Sequence, residues 1–282
     1  VIHVHLFEAM IVLSRINYSR CRYVVHFHDN IRQLKKGTVK TLFNKRDLTE
    51  YYERKLVLQV YKKRKTLFLA ISKDTQVYIQ ENLPRFESVL MFNAIDTKRF
   101  ERTGNEVVEN RLVNIGSLVD KKGQKLAVET IGVLRDRGVD VSLVLLGEGE
   151  MRTELEALVA QLGLKDKVLL KGKVDFPEAY LKSSLLYFHT AKYEPFGLVL
   201  VEAMAAELPV ITTNGKGNRD LIEEGENGFM ISNRNPSKLA DKIKLLLNNE
   251  EQRLKMGKKA KEFSNNFNIK SYVDRLLKVY VS

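Results

Sequence analysis

The chain has 282 residues, enough for two domains of ordinary size, and its composition, 44% hydrophobic and 29% charged, is that of a globular protein. A single cysteine, Cys21, excludes an intrachain disulfide and a cysteine-based zinc site and fits a reduced, cytoplasmic setting. The net charge of +12 is uneven, with 19 lysines and arginines against 9 acidic residues in residues 1–100, so nearly all the basic excess lies at the front.

Along the chain, short apolar runs alternate with segments of helical period. Ile2–His5, Tyr23–Phe27, Leu67–Ile71 and Val89–Phe92 predict strands, and Met10–Asn17, Leu48–Lys63 and Asp74–Asn82 predict helices. Apolar runs such as Met10–Leu13 and Leu67–Ile71 are far too short to span a bilayer. Asp96–Asn110 is polar and without pattern, which predicts a linker (96–110) after a first domain (1–95). The alternation then restarts over a second domain (111–265). Its expected strands are Leu112–Ile115, Val141–Leu146, Val168–Leu170, Leu186–Phe188, Val210–Thr213 and Phe229–Ile231. Expected helices fall near 123–137, 150–162, 197–206 and 236–249, then at Glu250–Asn265 and Ile269–Tyr280. Buried parallel strands read as near-continuous Val/Ile/Leu runs, and these do; strand–helix alternation then implies an α/β fold with two Rossmann-like parallel-sheet domains.

Two features of the first hundred residues bear on partners. Basic residues crowd Lys35–Lys65, with Phe43, Tyr51, Tyr52 and Tyr61 interleaved. Such a surface favours anionic partners: lipid headgroups, pyrophosphate-linked acceptors or nucleic acid. Nucleic acid has the least support, because no DNA or RNA motif accompanies the charge. The alternative is an ordinary solvated helix face. His3 and His5 share a strand face at a spacing that could hold a metal, but no third ligand is evident in the sequence, so both are expected to be structural.

The most informative segment is Glu194-Pro-Phe-Gly-Leu-Val-Leu-Val-Glu202, followed by Ala-Met-Ala-Ala. Two carboxylates bracket a Pro-Phe-Gly turn and a helix start. Gly197 lets a ligand approach the backbone closely, and the amides of Leu198 and Val199 fall in the first turn, where they have no intrahelical partner. That makes a seat for phosphate. Glu194 and Glu202 suit hydroxyls on either side of it, so the pattern points to a sugar nucleotide.

The segment Glu-Pro-Phe-Gly, a short apolar run, then Glu-Ala-Met-Ala and Pro-Val-Ile resembles the signature of retaining glycosyltransferases of the GT-B fold, the group 1 or GT4 family. The resemblance implies two Rossmann-like domains facing a cleft, and a terminal helix (266–282) packing back on the first. It implies transfer of a sugar from a UDP- or GDP-sugar to an acceptor hydroxyl with retention, without metal or cofactor beyond the donor. The acceptor would be a saccharide or lipid-linked molecule in surface polysaccharide or glycolipid synthesis, and the protein would be cytoplasmic or peripheral at the inner face of the membrane. Residue by residue, Glu194 would bind donor-sugar hydroxyls, Glu202 the ribose, and Lys122 of Gly116–Gly123 the diphosphate. The Gly172-Lys173-Val174 loop would lie beside the base. Phe196, Gly197, Leu198 and Val199 form the turn under the phosphates. His28, in His28-Asp29 at a strand end, would face the donor sugar near the reacting carbon.

This sequence departs from the family pattern at Ser117, where an arginine usually helps clamp the diphosphate. A hydroxyl supplies neither the charge nor the bidentate fork. The chain also opens on Val1 already in strand pattern. The resemblance therefore implies an N-terminal truncation that removes the family's first strand and glycine-rich loop, and low activity of the chain alone. The competing expectation is a catalytically impaired fragment that binds nucleotide or an anionic surface.

Overall fold

The computed structural model describes residues 1–5, 21–28, 51–52, 55, 59, 65–102, 108 and 110–282. The chain divides into two compact units, Val1–Asn93 with Val273–Ser282, and Ala94–Tyr272. The helix expected over Met10–Asn17 lies outside the described residues, as does most of the basic stretch. Of Leu48–Lys63, Tyr51, Tyr52, Lys55 and Gln59 are described, and they are helical.

In the first unit four parallel strands, β1 (Ile2–Val4), β2 (Tyr23–Phe27), β3 (Thr66–Ala70) and β4 (Glu87–Leu90), lie side by side in sequence order. Every residue of β2 and β3 is buried, as in strands covered on both faces. On one face Val4, Tyr23, Val25 and Phe27 pack with Phe68, Ala70, Ile79 and Leu83. Helix α1 (Lys73–Asn82) starts at Ser72, whose Oγ accepts from the Thr75 amide at 3.1 Å and satisfies one orphan donor of the first turn. The chain's last residues also belong here, with Arg22 donating to Val279 O at 3.1 Å.

The second unit is a six-stranded parallel sheet: β5 (Arg111–Ile115), β6 (Ser142–Leu146), β7 (Val168–Gly172), β8 (Leu186–His189), β9 (Val210–Thr213) and β10 (Gly228–Ile231). Its spatial order is β10-β9-β8-β5-β6-β7. The order reverses between β5 and β8, so the loops leaving these two strands diverge and open a crevice at the carboxyl edge. The helices are α2 (Gln124–Asp136), α3 (Arg152–Gln161), α4 (Pro177–Lys182), α5 (Leu198–Ala205), α6 (Pro236–Asn248) and α7 (Glu250–Ser264); α8 (Ile269–Val281) ends the chain. Leu112, Leu143, Leu145, Leu186, Phe188 and Ile211 of the sheet pack against Ile131 and Leu134 of α2 and Leu239, Ile243 and Leu246 of α6. Burying each such side chain contributes about 1.5–3 kcal/mol.

The described start of the expected linker has regular structure. Asp96 caps a 3-10 turn, Thr97–Phe100, through the Lys98 amide at 3.2 Å, and Phe100 is buried. Helix α4 has no periodic signal, since six residues make fewer than two turns. Among the described residues no helix is long and apolar enough to cross a membrane.

Candidate functional site

The site is built on the turn from β8 to α5. The Glu194 amide donates to Gly215 O at 2.8 Å, and Glu194 bridges Lys216 in parallel fashion. Asn218 locks this second loop from below: its Oδ1 accepts from the Gly215 amide at 2.9 Å, and its Nδ2 donates to Thr212 Oγ1 at 3.1 Å and to Thr213 O at 3.0 Å. Gly217 lies so close to the turn that a Cβ would stand 1.8 Å from Pro195 O. Residues 215–218 are therefore the floor that fixes Glu194.

Gly197 is left-handed, with φ 101° and ψ 57°, and caps α5. A side chain there would be strained, and its Cβ would meet Leu200 Cδ1 at 3.1 Å. Leu200 N turns back to Gly197 O at 2.9 Å, which leaves the amides of Leu198 and Val199 at the open end of the helix. Burial of Leu200, Val201, Ala203, Met204 and Ala205 fixes the direction in which that end points.

Glu194 is only 7% exposed. Lys122 Nζ lies 2.6 Å from its Oε2, and His189 Nε2 lies 3.3 Å from the same oxygen. Burial pushes the carboxyl up, but the contacts with His189 and Lys122 outweigh it and hold the group at about 2. Lys122 arrives from the loop after β5, which is tied to the β8 loop by the Lys192 and Tyr193 amides donating to Lys121 O at 2.8 and 3.3 Å. The two loops flanking the crevice thus meet at the Lys122–Glu194 ion pair as well as through their backbones.

Residues 96–263 match the family model described as glycosyl transferases group 1. The chain belongs to that family. It is 30% identical over 214 residues to an uncharacterized glycosyltransferase of Methanocaldococcus jannaschii, covering 75% of this chain and 58% of that protein. It is 27% identical over 231 residues to the poly(ribitol-phosphate) alpha-N-acetylglucosaminyltransferase of Staphylococcus aureus, covering 74% of this chain and 47% of that one. The chain therefore spans about half the length of the curated relatives it matches. Among solved structures it resembles Anabaena HepE in complex with UDP, with TM-score 0.82 and 19% identity over 98% of this chain and 78% of that chain. It resembles TarM with TM-score 0.82 and 21% identity over 99% of this chain and 54% of that chain. At such identities the likeness is one of fold, that of the GT-B glycosyltransferases.

The remaining residues expected in the glycosyltransferase site fall around this turn, with exceptions. Glu202 is half-buried, one turn into α5, and among the described residues no donor is hydrogen-bonded to its carboxylate. Burial raises its carboxyl above the usual range, with the Arg99 guanidinium opposing. Arg99 itself grips Glu178 of α4 with a two-pronged contact, Nε to Oε1 at 3.2 Å and Nη2 to Oε2 at 3.1 Å. Ser117 is exposed after β5, and its carbonyl accepts from Gln124 Nε2 at 2.9 Å. Val174 is half-buried beyond β7. The Phe196 side chain belongs to the core, 2% exposed with its ring 5.7 Å from that of Phe267, because the turn folds it inward beneath α5. A cavity of about 430 Å³ nearby is lined by Asp120, Lys125, Glu129, Glu154, Lys192 and Arg234. Its walls carry both charge signs, and it contains none of Lys122, Glu194 and Glu202.

Sequence reasoning missed His189. The available signal was the alternation along β8, which puts Tyr187 and His189 on one face, with the Tyr187 hydroxyl 3.4 Å from His189 Nδ1. Thr190, four residues before Glu194 and structural on its sequence alone, has a buried hydroxyl with no hydrogen-bond partner among the described residues.

His28 belongs to the first unit, at the end of β2; Asp29 lies outside the described residues. The sequence shows no third ligand for His3 and His5, and the structure brings a third imidazole beside them. Parallel pairing in the register Val4↔Val25 brings His26 and His28 alongside them, with ring centroids 5.2 Å apart for His5–His26 and 4.4 Å for His26–His28. Burial lowers all four imidazoles, and repulsion from neighbouring imidazoles adds to it for His3, His26 and His28, bringing His3 to about 4 and His26 to about 3.

Proposed function

We propose that this chain carries the donor-binding machinery of a retaining glycosyltransferase that moves a sugar from a UDP- or GDP-sugar to an acceptor hydroxyl. The observation that carries the reading is the buried, ionised Glu194, paired with Lys122 beside the open N-terminus of α5 at the switch point of the sheet. Lys122 Nζ has three N–H donors; Glu194 takes one and the others are left for the diphosphate. The Leu198 and Val199 amides add neutral donors and the helix dipole. Charge developing on the leaving diphosphate is stabilised by these groups without a metal ion. Glu194 accepts from donor-sugar hydroxyls, and Glu202 from the ribose. His28 contacts the sugar near the reacting carbon. In front-face transfer the acceptor oxygen bonds to the anomeric carbon as the carbon–phosphate oxygen bond breaks. The acceptor's proton passes to the departing phosphate, so no protein nucleophile is required.

HepE was solved with UDP, and one relative transfers N-acetylgalactosamine onto a diphospho-undecaprenol-linked sugar, which supports a nucleotide donor and a saccharide or lipid-linked acceptor. The basic stretch 35–65 suits the anionic inner face of a membrane, where surface polysaccharide and glycolipid precursors are built. Ser117 favours a second reading, a catalytically impaired protein that keeps nucleotide affinity, because the diphosphate loses one cationic partner.

Calorimetric titration with UDP and GDP in EDTA separates these. Saturable binding of one nucleotide, lost in Glu202→Ala, together with measurable sugar transfer supports the enzyme. Binding without transfer supports the second reading. Absence of binding to either nucleotide overturns both.

A further inference from the structure

His3 lies in β1 and His5 just past its end, His26 lies in β2 and His28 just past its end, and the parallel pairing of the two strands stacks both pairs on one face of the sheet. One ring nitrogen from each of His3, His5 and His26 can be chosen so that the three lie within 4.8 Å of one another. In a tetrahedral zinc site, with Zn–N near 2.0–2.1 Å, ligand nitrogens stand about 3.4 Å apart. Ring rotations that bring the three nitrogens closer by roughly an ångström complete such a set.

The surroundings orient the rings as neighbours of a metal do. His3 Nδ1 meets the Tyr280 hydroxyl at 2.6 Å, while His3 Nε2 is buried and has no hydrogen-bond partner among the described residues. A partner on one ring nitrogen fixes the tautomer and aims the other at the ion. His5 Nδ1 meets His28 Nε2 at 3.1 Å in the same manner. Imidazole donors suit zinc, copper, nickel and cobalt, and a ligand set of three imidazoles disfavours magnesium and calcium.

We infer that His3, His5 and His26 bind one transition-metal ion, zinc being the best match, with Tyr280 and His28 positioning the ligands. The ion pins the three-residue β1 to β2. Its binding is read without nucleotide and the nucleotide test is run in EDTA, so each reading fails on its own.

The test is titration of Zn²⁺, without nucleotide, into the metal-stripped full chain, with Co²⁺ as a spectroscopic probe. The expected result is one ion per chain, visible bands of tetrahedral Co²⁺, and a higher thermal midpoint. Affinity should fall at least tenfold in His5→Asn, whose exposed position spares the fold, and in His3→Asn, and stay unchanged in His189→Asn. Excess Mg²⁺ should not compete. The inference is overturned by absence of saturable Zn²⁺ binding, by Co²⁺ spectra without tetrahedral bands on the unmodified chain, or by binding that survives His5→Asn and His3→Asn unchanged.

Discussion

Glu194 owes its charge to its neighbours. In a site that is 7% exposed, a lone carboxyl would hold its proton; Lys122 at 2.6 Å and His189 at 3.3 Å keep it ionised at about 2. Because the folded value lies below the unfolded one near 4.5, the group contributes stability above pH 4.5 and loses it as pH falls toward 2. At about 1.4 kcal/mol per pH unit, the contribution is on the order of 3 kcal/mol. Urea unfolding should show Glu194→Gln less stable than the unmodified chain at pH 7, with the gap closing between pH 4.5 and 2; a pH-independent gap would show that the ion pair is not its source. Glu194→Ala should abolish transfer while the circular dichroism spectrum is kept; unchanged turnover would remove Glu194 from the chemistry. Lys122→Ala should weaken UDP or GDP binding about tenfold or more, since a charge-assisted phosphate contact contributes about 1.5–3 kcal/mol; equal affinity would remove Lys122 from the clamp.

Gly197 and Gly217 place that residue chemistry at the level of elements, one opening α5 and the other letting the 215–218 floor touch the turn. A methyl at position 217 meets a backbone carbonyl at 1.8 Å and has no flexible neighbour to displace, so the floor itself must shift. Gly217→Ala should cost about 2–4 kcal/mol, the range of core overpacking and strain, and reduce nucleotide affinity with it. Urea midpoints and calorimetry on one preparation check this; a neutral substitution would mean that the floor is soft. The ten strands of the described residues are legible in the sequence to within two residues at each end, because most of them are buried apolar runs between polar turns. The Glu194–Glu202 turn is legible because glycine and helix-start positions are local. Arg99 beside Glu178 and the histidine group on β1 and β2 are not, since each depends on a pairing across tens of residues, and His189, only five residues before Glu194, meets it through the path of the turn rather than through a period. His5 meets His26 only through the register of two strands, and no periodicity within either strand reports it. Phe196 shows the same limit in reverse, for adjacency in sequence to Gly197 does not keep its ring out of the core.

Over the whole molecule the charge is segregated: 19 basic against 9 acidic residues in 1–100, and 28 against 26 in the remainder. The donor site proposed above draws on Lys122 and the amides of one helix end, and the surplus at the front lies outside it. Each lysine or arginine close to an anionic bilayer contributes about 1 kcal/mol, and salt screens that attraction over about 10 Å at 0.1 M. Lys62, Lys63 and Lys65 lie within four residues of one another in the basic stretch. Their reversal to glutamate removes three attractive charges and adds three repulsive ones. Sedimentation with phosphatidylserine-containing vesicles at low salt should show binding by the unmodified chain that fades on raising the salt to 0.5 M. The triple reversal should lose at least tenfold in vesicle affinity while UDP or GDP affinity is unchanged, because the groups proposed to bind nucleotide lie in the second unit. Vesicle binding unaffected by the reversal would identify the stretch as plain solvated surface, and a parallel loss of nucleotide affinity would show that these lysines reach the donor site.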